Sequence, residues 1–150
     1  TIALLDNGSV ISWGVNDSYQ LSIGNTLNQD EPAISQDLPA NILRVYADNN
    51  KSCAVSNYYK TLHCSGATFR GDGSSSTGNF VEVDFPSTFT SNHIIKDVSI
   101  STGGACAYTI NTSDNSSDMF CWGENSKGTL GLGNTLTPQR TPQKVLAPFD

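Results

Sequence analysis

The sequence predicts an all-β protein, and its composition, its periodicity and an internal repeat all indicate this class. Ser, Thr, Asn and Gly are abundant among the 150 residues while Lys, Glu and Ala are scarce, which disfavours helices and suits short strands joined by polar turns. Apolar residues never recur at helical spacing over three turns. They alternate instead in residues 43–47, 81–83 and 98–100, as they do in half-buried strands.

The repeat becomes visible when the sequence is compared with itself. Residues 13–27 (WGVNDSYQLSIGNTL) and 122–136 (WGENSKGTLGLGNTL) match at Trp, Gly, Asn, Leu, Gly, Asn, Thr and Leu. A weaker middle copy keeps Gly66 but has lost its Trp. We therefore expect one segment over residues 1–150, with copies at about 1–41, 42–93 and 94–150, a period typical of repeat architectures. The positions that mark the repeat are Trp13, Gly14, Trp122 and Gly123.

Asn7-Gly8 in copy one predicts a hairpin closed by a type I′ turn, with positive φ at both central residues. Such a hairpin sets Ile2 opposite Ser12, and directly opposed Cα atoms lie about 4.5–5.5 Å apart, a distance that a disulfide can bridge.

The four cysteines occupy these two opposed positions in copies two and three. Copy one has lost both, as a covalent pair requires. Two disulfides within hairpins, formed in an oxidising compartment, are therefore favoured over buried thiols or a zinc site, and each should contribute about 2–3 kcal/mol. The expected pairs are Cys53–Cys64 and Cys106–Cys121.

Several function classes find no support in the residues. A net charge of −6 with scattered Lys and Arg argues against nucleic acid as a partner. No apolar run is long enough to span a bilayer. No G-x-S-x-G, H-E-x-x-H or phosphate-loop motif is present, so no enzyme activity and no cofactor are expected. No metal site is expected either, because residues 114–118 lack the register of a calcium loop, and His63 and a linker His93 are interpreted as surface or packed residues.

Five N-x-[ST] sequons are candidate glycosylation sites. Two of them fall in an insertion at the tip of the third copy's hairpin, where a glycan would be tolerated best. The sequence favours them in the order Asn115, Asn111, Asn50, Asn16 and Asn7.

The pattern A-L-x-x-x-G-x-V-x-x-W-G-x-N, followed by L-G-x-G and then Pro, resembles the repeat of the regulator of chromosome condensation family. This resemblance implies four-stranded β-propeller blades, usually about seven to a ring, with Trp13 and Trp122 packed between neighbouring blades. Tyr19 and Ser22 replace glycines of the pattern. The added cysteines resemble those of secreted members of the family.

Three blades do not close such a ring, and the chain starts at Thr1 within a predicted strand, so we expect a mature or partial chain. The partners expected are the rest of a longer chain or other copies of the same chain. The small-GTPase exchange activity of the chromatin member is not carried over, because the residues it needs cannot be located here.

The function favoured by the sequence is a non-catalytic, extracellular structural glycoprotein segment, such as part of a surface filament or a flagellar-hair-like fibre. The alternative is a secreted recognition module that binds another extracellular protein, as an inhibitor or adhesin does. The alternative predicts exposed aromatic side chains on one face, for which the candidates are Tyr58, Tyr59, Phe69 and residues 85–89.

Overall fold

The computed structural model describes residues 1–67, 69–74 and 78–146, which form three antiparallel sheets and contain no helix. The all-β prediction is therefore confirmed. The strands are β1 (Ile2–Leu4), β2 (Val10–Gly14), β3 (Gln29–Ile34), β4 (Ile42–Asp48), β5 (Lys51–Ser56), β6 (Thr61–Gly66), β7 (Gly78–Glu82), β8 (His93–Ser101), β9 (Gly104–Asn111), β10 (Ser117–Gly123) and β11 (Gln139–Lys144).

Each sheet is a meander of consecutive strands, and we call the sheets blades 1, 2 and 3. Blade 1 contains β1–β3, blade 2 contains β4–β7 and blade 3 contains β8–β11. The three strands of blade 1 correspond to the last three strands of the other two blades. In blades 2 and 3, β4 and β8 pair with the strands that correspond to β1. Within the described part of the chain, no strand pairs with that edge of β1 itself.

The hairpin register agrees with the sequence comparison of the three copies. Ile2 lies opposite Ser12, and the two cysteine pairs lie opposite each other in the equivalent hairpins of blades 2 and 3. Both pairs are joined as cross-strand disulfides with Cα atoms 4.1 Å apart. Each disulfide thus links the two middle strands of a four-stranded blade.

The turn predicted at Asn7-Gly8 is different in the structure, so the type I′ assignment is wrong. Only Gly8 has positive φ, at 83°. The backbone N–H groups of Leu5 and Gly8 donate to the carbonyls of Ser9 and Leu5, which makes a three-residue loop ending in a left-handed glycine. Asn7 stays outside the left-handed region because its Oδ1 accepts the N–H of Ser9, at 2.9 Å, within a local turn.

The hydrophobic core lies between the blades, and blade 2 buries both of its faces against its two neighbours. One cluster joins blades 2 and 3, and a smaller one joins blades 1 and 2. Neighbouring residues of β5 show the alternation, because Val55 packs in the larger cluster and Ala54 in the smaller one. A blade is therefore stabilised mainly by the blades on either side of it.

Lys51, the first residue of β5, ties blade 2 to blade 3. It is only 2% exposed, and its Nζ donates to the carbonyls of Ser101 and Thr102 at 3.1 Å each. The ring of Phe69 lies 5.6 Å from the same nitrogen. Burial lowers the pKa of Lys51 from 10.5 to about 8, although Asp48 partly opposes this shift.

This pKa predicts how stability depends on pH. Between pH 8 and 10.5 the unfolded chain retains a proton that the folded chain releases, so the free energy of unfolding should rise with pH in this window. The rise should approach about 1.4 kcal/mol per pH unit and disappear in Lys51→Met. Urea denaturation at several pH values measures it, with the exposed Lys127→Met as control. Equal pH slopes for the wild type and Lys51→Met would contradict the assignment.

Candidate functional site: the blade junctions

Each blade has a β-bulge between its last two strands. It lies opposite the residues that correspond to Trp-Gly in the repeat. The pairing with the outermost strand shifts register between the residues on either side of the bulge in all three sheets. The extra residues lie on the outermost strand of each blade. On the neighbouring strand, the single residue opposite them is Trp13 in blade 1, Ser65 in blade 2 and Trp122 in blade 3.

The glycine that follows Trp13, Ser65 or Trp122 is required by the conformation of the backbone. Gly14, Gly66 and Gly123 have φ of 102°, 104° and 120°, a region that side chains rarely adopt. In blades 2 and 3 a neighbouring strand also passes very close. A Cβ on Gly66 would lie 2.2 Å from the carbonyl oxygen of Asn50, and one on Gly123 would lie 2.2 Å from that of Gly103. The glycines therefore permit the approach of two backbones that no side chain would allow.

Trp122 fills the junction between blades 2 and 3. The indole is fully buried, its Nε1–H donates to the carbonyl of Phe69 at 3.0 Å, and its ring contacts Phe85 edge-on at 6.3 Å. Blade 2 makes room for it at Gly71. A Cβ there would lie 3.1 Å from the indole nitrogen and 2.8 Å from a methyl group of Val83. The large side chain of one blade thus fits a glycine of the preceding blade.

The position of Gly71 can be identified in the other two blades from one hydrogen bond. Its carbonyl accepts the N–H of Asp84, a residue just beyond the outermost strand. Ser22 and Gly131 accept the same bond from Gln36 and Leu146. We call this the socket position, and it is held by Ser22, Gly71 and Gly131 in blades 1, 2 and 3.

The junction between blades 1 and 2 has a smaller residue at the Trp position and a larger one at the socket position. Blade 2 carries the small Ser65, fully buried, where blade 3 carries Trp122. The socket position of blade 1 carries Ser22 instead of glycine, in spite of a φ of 53°. The Ser22 hydroxyl accepts the buried N–H of Phe80 at 2.8 Å and donates to the carbonyl of Gln36 at 3.1 Å. The departure of Ser22 from the repeat pattern therefore coincides with the missing Trp of blade 2.

The loops after Trp-Gly in blades 1 and 3 share one internal scaffold. Asn16 is fully buried, its Nδ2 donates to the carbonyl of Asn25 at 2.7 Å, and its Oδ1 accepts the N–H of Leu21. Asn125 makes the same bonds to Asn134 and Leu130 in blade 3. The repeated Asn is therefore the centre of each loop.

Both loops present a leucine to solvent. Leu27 is 67% exposed and Leu136 is 68% exposed. In each case the backbone N–H of the leucine is fixed by the side chain of an asparagine two residues earlier, at 2.8 Å from Asn25 and 3.0 Å from Asn134. Because both loops follow equivalent strands, the leucines lie at the same end of their blades, which we call the Trp-Gly end.

The opposite end, the hairpin end, carries the tips of the disulfide hairpins and exposes Tyr58, which is 76% exposed. Asn57, Tyr58 and Tyr59 all have positive φ. The remaining aromatic candidates of the sequence are core residues, because Tyr59, Phe69, Phe85 and Phe89 pack against the larger cluster. The aromatic surface expected for the recognition alternative is thus limited to one tyrosine among them.

The sequons differ in their surroundings. Asn115 and Asn7 are exposed, and Asn111 is half-buried, with its Oδ1 accepting the N–H of Ser113. Asn50 is half-buried in the turn between β4 and β5. Asn16 uses its amide nitrogen inside the fold, which argues against a glycan at that residue.

The histidines belong to the packing of the blades. His93 begins β8 instead of lying in a linker, and it is buried with its Nε2 3.2 Å from a carboxylate oxygen of Asp118. Burial alone would raise the pKa of Asp118, but hydrogen bonds from Lys144 and His93 lower it. Burial lowers the pKa of His63, on β6. The contact between His93 and Asp118 links β8 to β10. Sequence reasoning missed it because the two residues are distant in the chain.

Within residues 1–67, 69–74 and 78–146, no three His, Cys, Asp or Glu side chains are grouped so that they would hold a metal ion. The same ranges contain no helix with the length and apolar character needed to cross a membrane.

Comparison with known proteins identifies the repeat. Residues 116–150 match the sequence model of the regulator of chromosome condensation (RCC1) repeat. The chain is 29% identical over 150 residues to the probable E3 ubiquitin-protein ligase HERC6 of Homo sapiens, covering 97% of the chain and 14% of that protein. It is 31% identical over 125 residues to E3 ubiquitin-protein ligase HERC2 of Mus musculus, covering 81% and 2%. It is 26% identical over 146 residues to the X-linked retinitis pigmentosa GTPase regulator of Canis lupus familiaris, covering 97% and 14%.

Solved structures agree on the fold. Human WBSCR16 superposes with a TM-score of 0.76 at 19% identity, over 98% of this chain and 37% of that one. Prp20p from Saccharomyces cerevisiae superposes with a TM-score of 0.71 at 17% identity, over 98% and 36%. The chain therefore spans a small part of the relatives and about a third of the solved structures. It is built from repeats of the regulator of chromosome condensation (RCC1) family, and its three sheets are blades of an RCC1-like β-propeller.

Proposed function

We propose that this chain is a non-catalytic protein-interaction segment of an RCC1-like propeller, which contacts its partner through the loops at the Trp-Gly end. The observation that carries the proposal is the repeated presentation of Leu27 and Leu136. Two loops with the same buried asparagine hold an exposed leucine at the same end of the molecule.

The geometry favours binding because the leucines are held before a partner arrives. Besides the asparagine bonds, the carbonyl of Leu27 accepts the side-chain N–H of Gln29 at 3.2 Å, and that of Leu136 accepts Gln139 at 2.8 Å. Fixing a loop in its bound conformation reduces the entropy lost on association. Burial of a leucine side chain contributes about 1.5–3 kcal/mol, so the two leucines would be the anchors of a larger contact surface.

The similar proteins support a protein as the partner. Prp20p was characterised by its binding to Gsp1p and histones, and one relative is named as a GTPase regulator. Two relatives are named as ubiquitin ligases, but the chain covers only 14% and 2% of them, so ligase activity is not part of this proposal. The names of Prp20p's partners and of the GTPase regulator thus support the same conclusion as the exposed leucines, namely that the partner is a protein.

The experiment compares partner capture by the whole chain and by Leu27→Ser/Leu136→Ser, using extract of the source cells and quantitative mass spectrometry. A partner of the Trp-Gly end should be recovered at least about tenfold less by the double variant, since each leucine contributes 1.5–3 kcal/mol when buried. The control is Leu5→Ser, which removes a leucine that is 40% exposed at the hairpin end. Equal recovery by the wild type and the folded double variant would contradict the proposal.

A second candidate, an extracellular structural glycoprotein such as a segment of a filament, is favoured by a different observation. Disulfides across the middle strands of blades 2 and 3 are typical of proteins from oxidising compartments. The exposed sequon at Asn115, on the tip of the β9–β10 hairpin, fits the same location. The recognition role ranks first because the comparisons support protein binding and provide no support for a filament.

One peptide-mapping experiment on native material tests this second candidate. A non-reducing digest should contain peptides that link Cys53 to Cys64 and Cys106 to Cys121, and a glycopeptide that contains Asn115. Asn16 should be unmodified, because its amide nitrogen donates two hydrogen bonds inside the fold. Free thiols together with an unmodified Asn115 would contradict an extracellular location.

A further inference from the structure

The tip of the β5–β6 hairpin has a backbone that side chains rarely adopt. Asn57, Tyr58 and Tyr59 follow one another with φ of 50°, 56° and 67°, so all three lie in the left-handed region. Each such residue other than glycine costs conformational energy, and residues of this kind are frequent at functional sites. The tip is therefore a segment in which the fold accepts strain in order to place particular side chains.

This backbone places the two tyrosines of the tip in opposite environments. Tyr59 packs against the larger core cluster, its carbonyl accepts the N–H of Ile95 at 2.7 Å, and the Arg44 guanidinium lies 5.3 Å from the centre of its ring. Tyr58, by contrast, is 76% exposed. Its hydroxyl has no hydrogen-bond partner within the described part of the chain. The tip thus anchors one ring in the fold and presents the other to solvent.

A groove of about 490 Å³ lies beside Tyr58 at the hairpin end. One wall is the turn of blade 1, residues 6–9. The other is formed by residues 40–43, which lead into β4, and by Tyr58 itself. Both walls therefore belong to neighbouring blades of this chain, and the groove is formed by residues that the structure describes.

The groove exists because the turn of blade 1 is short. Five residues separate the paired Leu4 and Val10. In blade 2 the equivalent pair, Val55 and Leu62, is separated by six residues. The longer turn of blade 2 reaches β8 through the hydrogen bond at the carbonyl of Tyr59. The shorter turn of blade 1 leaves a gap beside β4 instead.

The lining of the groove has one negative charge and no positive one. Its polar side chains are those of Asp6, Asn7, Ser9 and Asn41. None of the described residues that line the groove is Lys, Arg or His. Asp6 is exposed and takes part in no ion pair within the described ranges. An exposed tyrosine ring beside an unpaired carboxylate is an environment that attracts a cationic side chain.

The fold already pairs cations with aromatic rings in its interior. The Arg44 guanidinium lies over the ring of Tyr59, and the Nζ of Lys51 lies 5.6 Å from the ring of Phe69. Each of these two rings therefore has a cation from its own chain. The ring of Tyr58 has none among the residues that the structure describes.

We infer that the groove beside Tyr58 binds a lysine or arginine side chain of a partner protein, with the cation over the tyrosine ring and Asp6 as its counter-charge. A basic segment also suits a chain with a net charge of −6. Phosphate groups are disfavoured, because they would meet the carboxylate of Asp6 and no cation. The groove lies at the hairpin end, opposite the leucines of the Trp-Gly end, so this inference is independent of the function proposed above.

An NMR titration of the whole chain with acetyl-arginine methylamide tests the inference. Saturable shifts should appear at the amides that line the groove. Tyr58→Ser and Asp6→Asn should each weaken binding about two- to fivefold, as expected for one exposed cation–ring contact or one exposed ion pair. Tyr58→Phe, which keeps the ring, should bind like the wild type. The matched charge control is Asp114→Asn, an exposed acid on the hairpin tip of blade 3, which should change nothing.

Three further probes identify the chemistry that the groove recognises. Acetyl-citrulline methylamide has the shape of the arginine probe without its charge, methyl glucoside is a neutral polyhydroxyl ligand, and inorganic phosphate is an anion. None of them should shift the groove amides as the arginine probe does. Equal shifts with any of the three would overturn the inference, as would the absence of saturable shifts with the arginine probe up to its solubility limit. Unchanged affinity of both Tyr58→Ser and Asp6→Asn would also reject the site.

Discussion

The structure depends on a backbone contact at the glycine of the Trp-Gly position, where two chain segments approach more closely than any side chain would permit. In blade 3 the position of a Cβ on Gly123 lies 2.2 Å from the carbonyl oxygen of Gly103, and blade 2 repeats this distance between Gly66 and Asn50. The side chain before each glycine points out of its sheet by the ordinary alternation of a strand, since Phe120 and Trp122 both contact the ring of Phe85. That side chain is the one that enters the junction with the preceding blade.

The packing at each junction then depends on the sizes of two residues, the one at the socket position of the first blade and the one at the Trp position of the next. Trp122 requires a glycine in blade 2, since a Cβ on Gly71 would lie 3.1 Å from the indole nitrogen. The buried Ser65 of blade 2 is accompanied by Ser22 in blade 1, whose hydroxyl bonds to the backbone of Phe80. Since both core clusters lie between blades, stability is a property of neighbouring pairs, as expected for repeat proteins.

Sequence reasoning predicted the features that repeat and missed those that depend on individual side-chain contacts. The hairpin register could be predicted because Cys53 and Cys64 replace Ile2 and Ser12 as a pair. The loss of Gly at Ser22 was visible, but its hydrogen bond to Phe80 was not, because that bond forms only when blades 1 and 2 pack together. His93 was assigned to a linker because its partner Asp118, on another strand of the same blade, is 25 residues away. The turn at Asn7 was assigned to the wrong type because a side-chain hydrogen bond competes with positive φ at that residue.

The most direct measurement of the central claim compares Gly123→Ala with Gly14→Ala by urea denaturation. Both glycines have positive φ, but the nearest atom to a Cβ on Gly14 lies 3.8 Å away, so only Gly123 combines strain with the close approach of a second strand. Gly14→Ala should lower the free energy of unfolding by about 1–2 kcal/mol, the cost of strained backbone alone. Gly123→Ala should lower it by more than about 4 kcal/mol or prevent folding. Equal losses for the two variants would contradict the dependence of the blades on this contact.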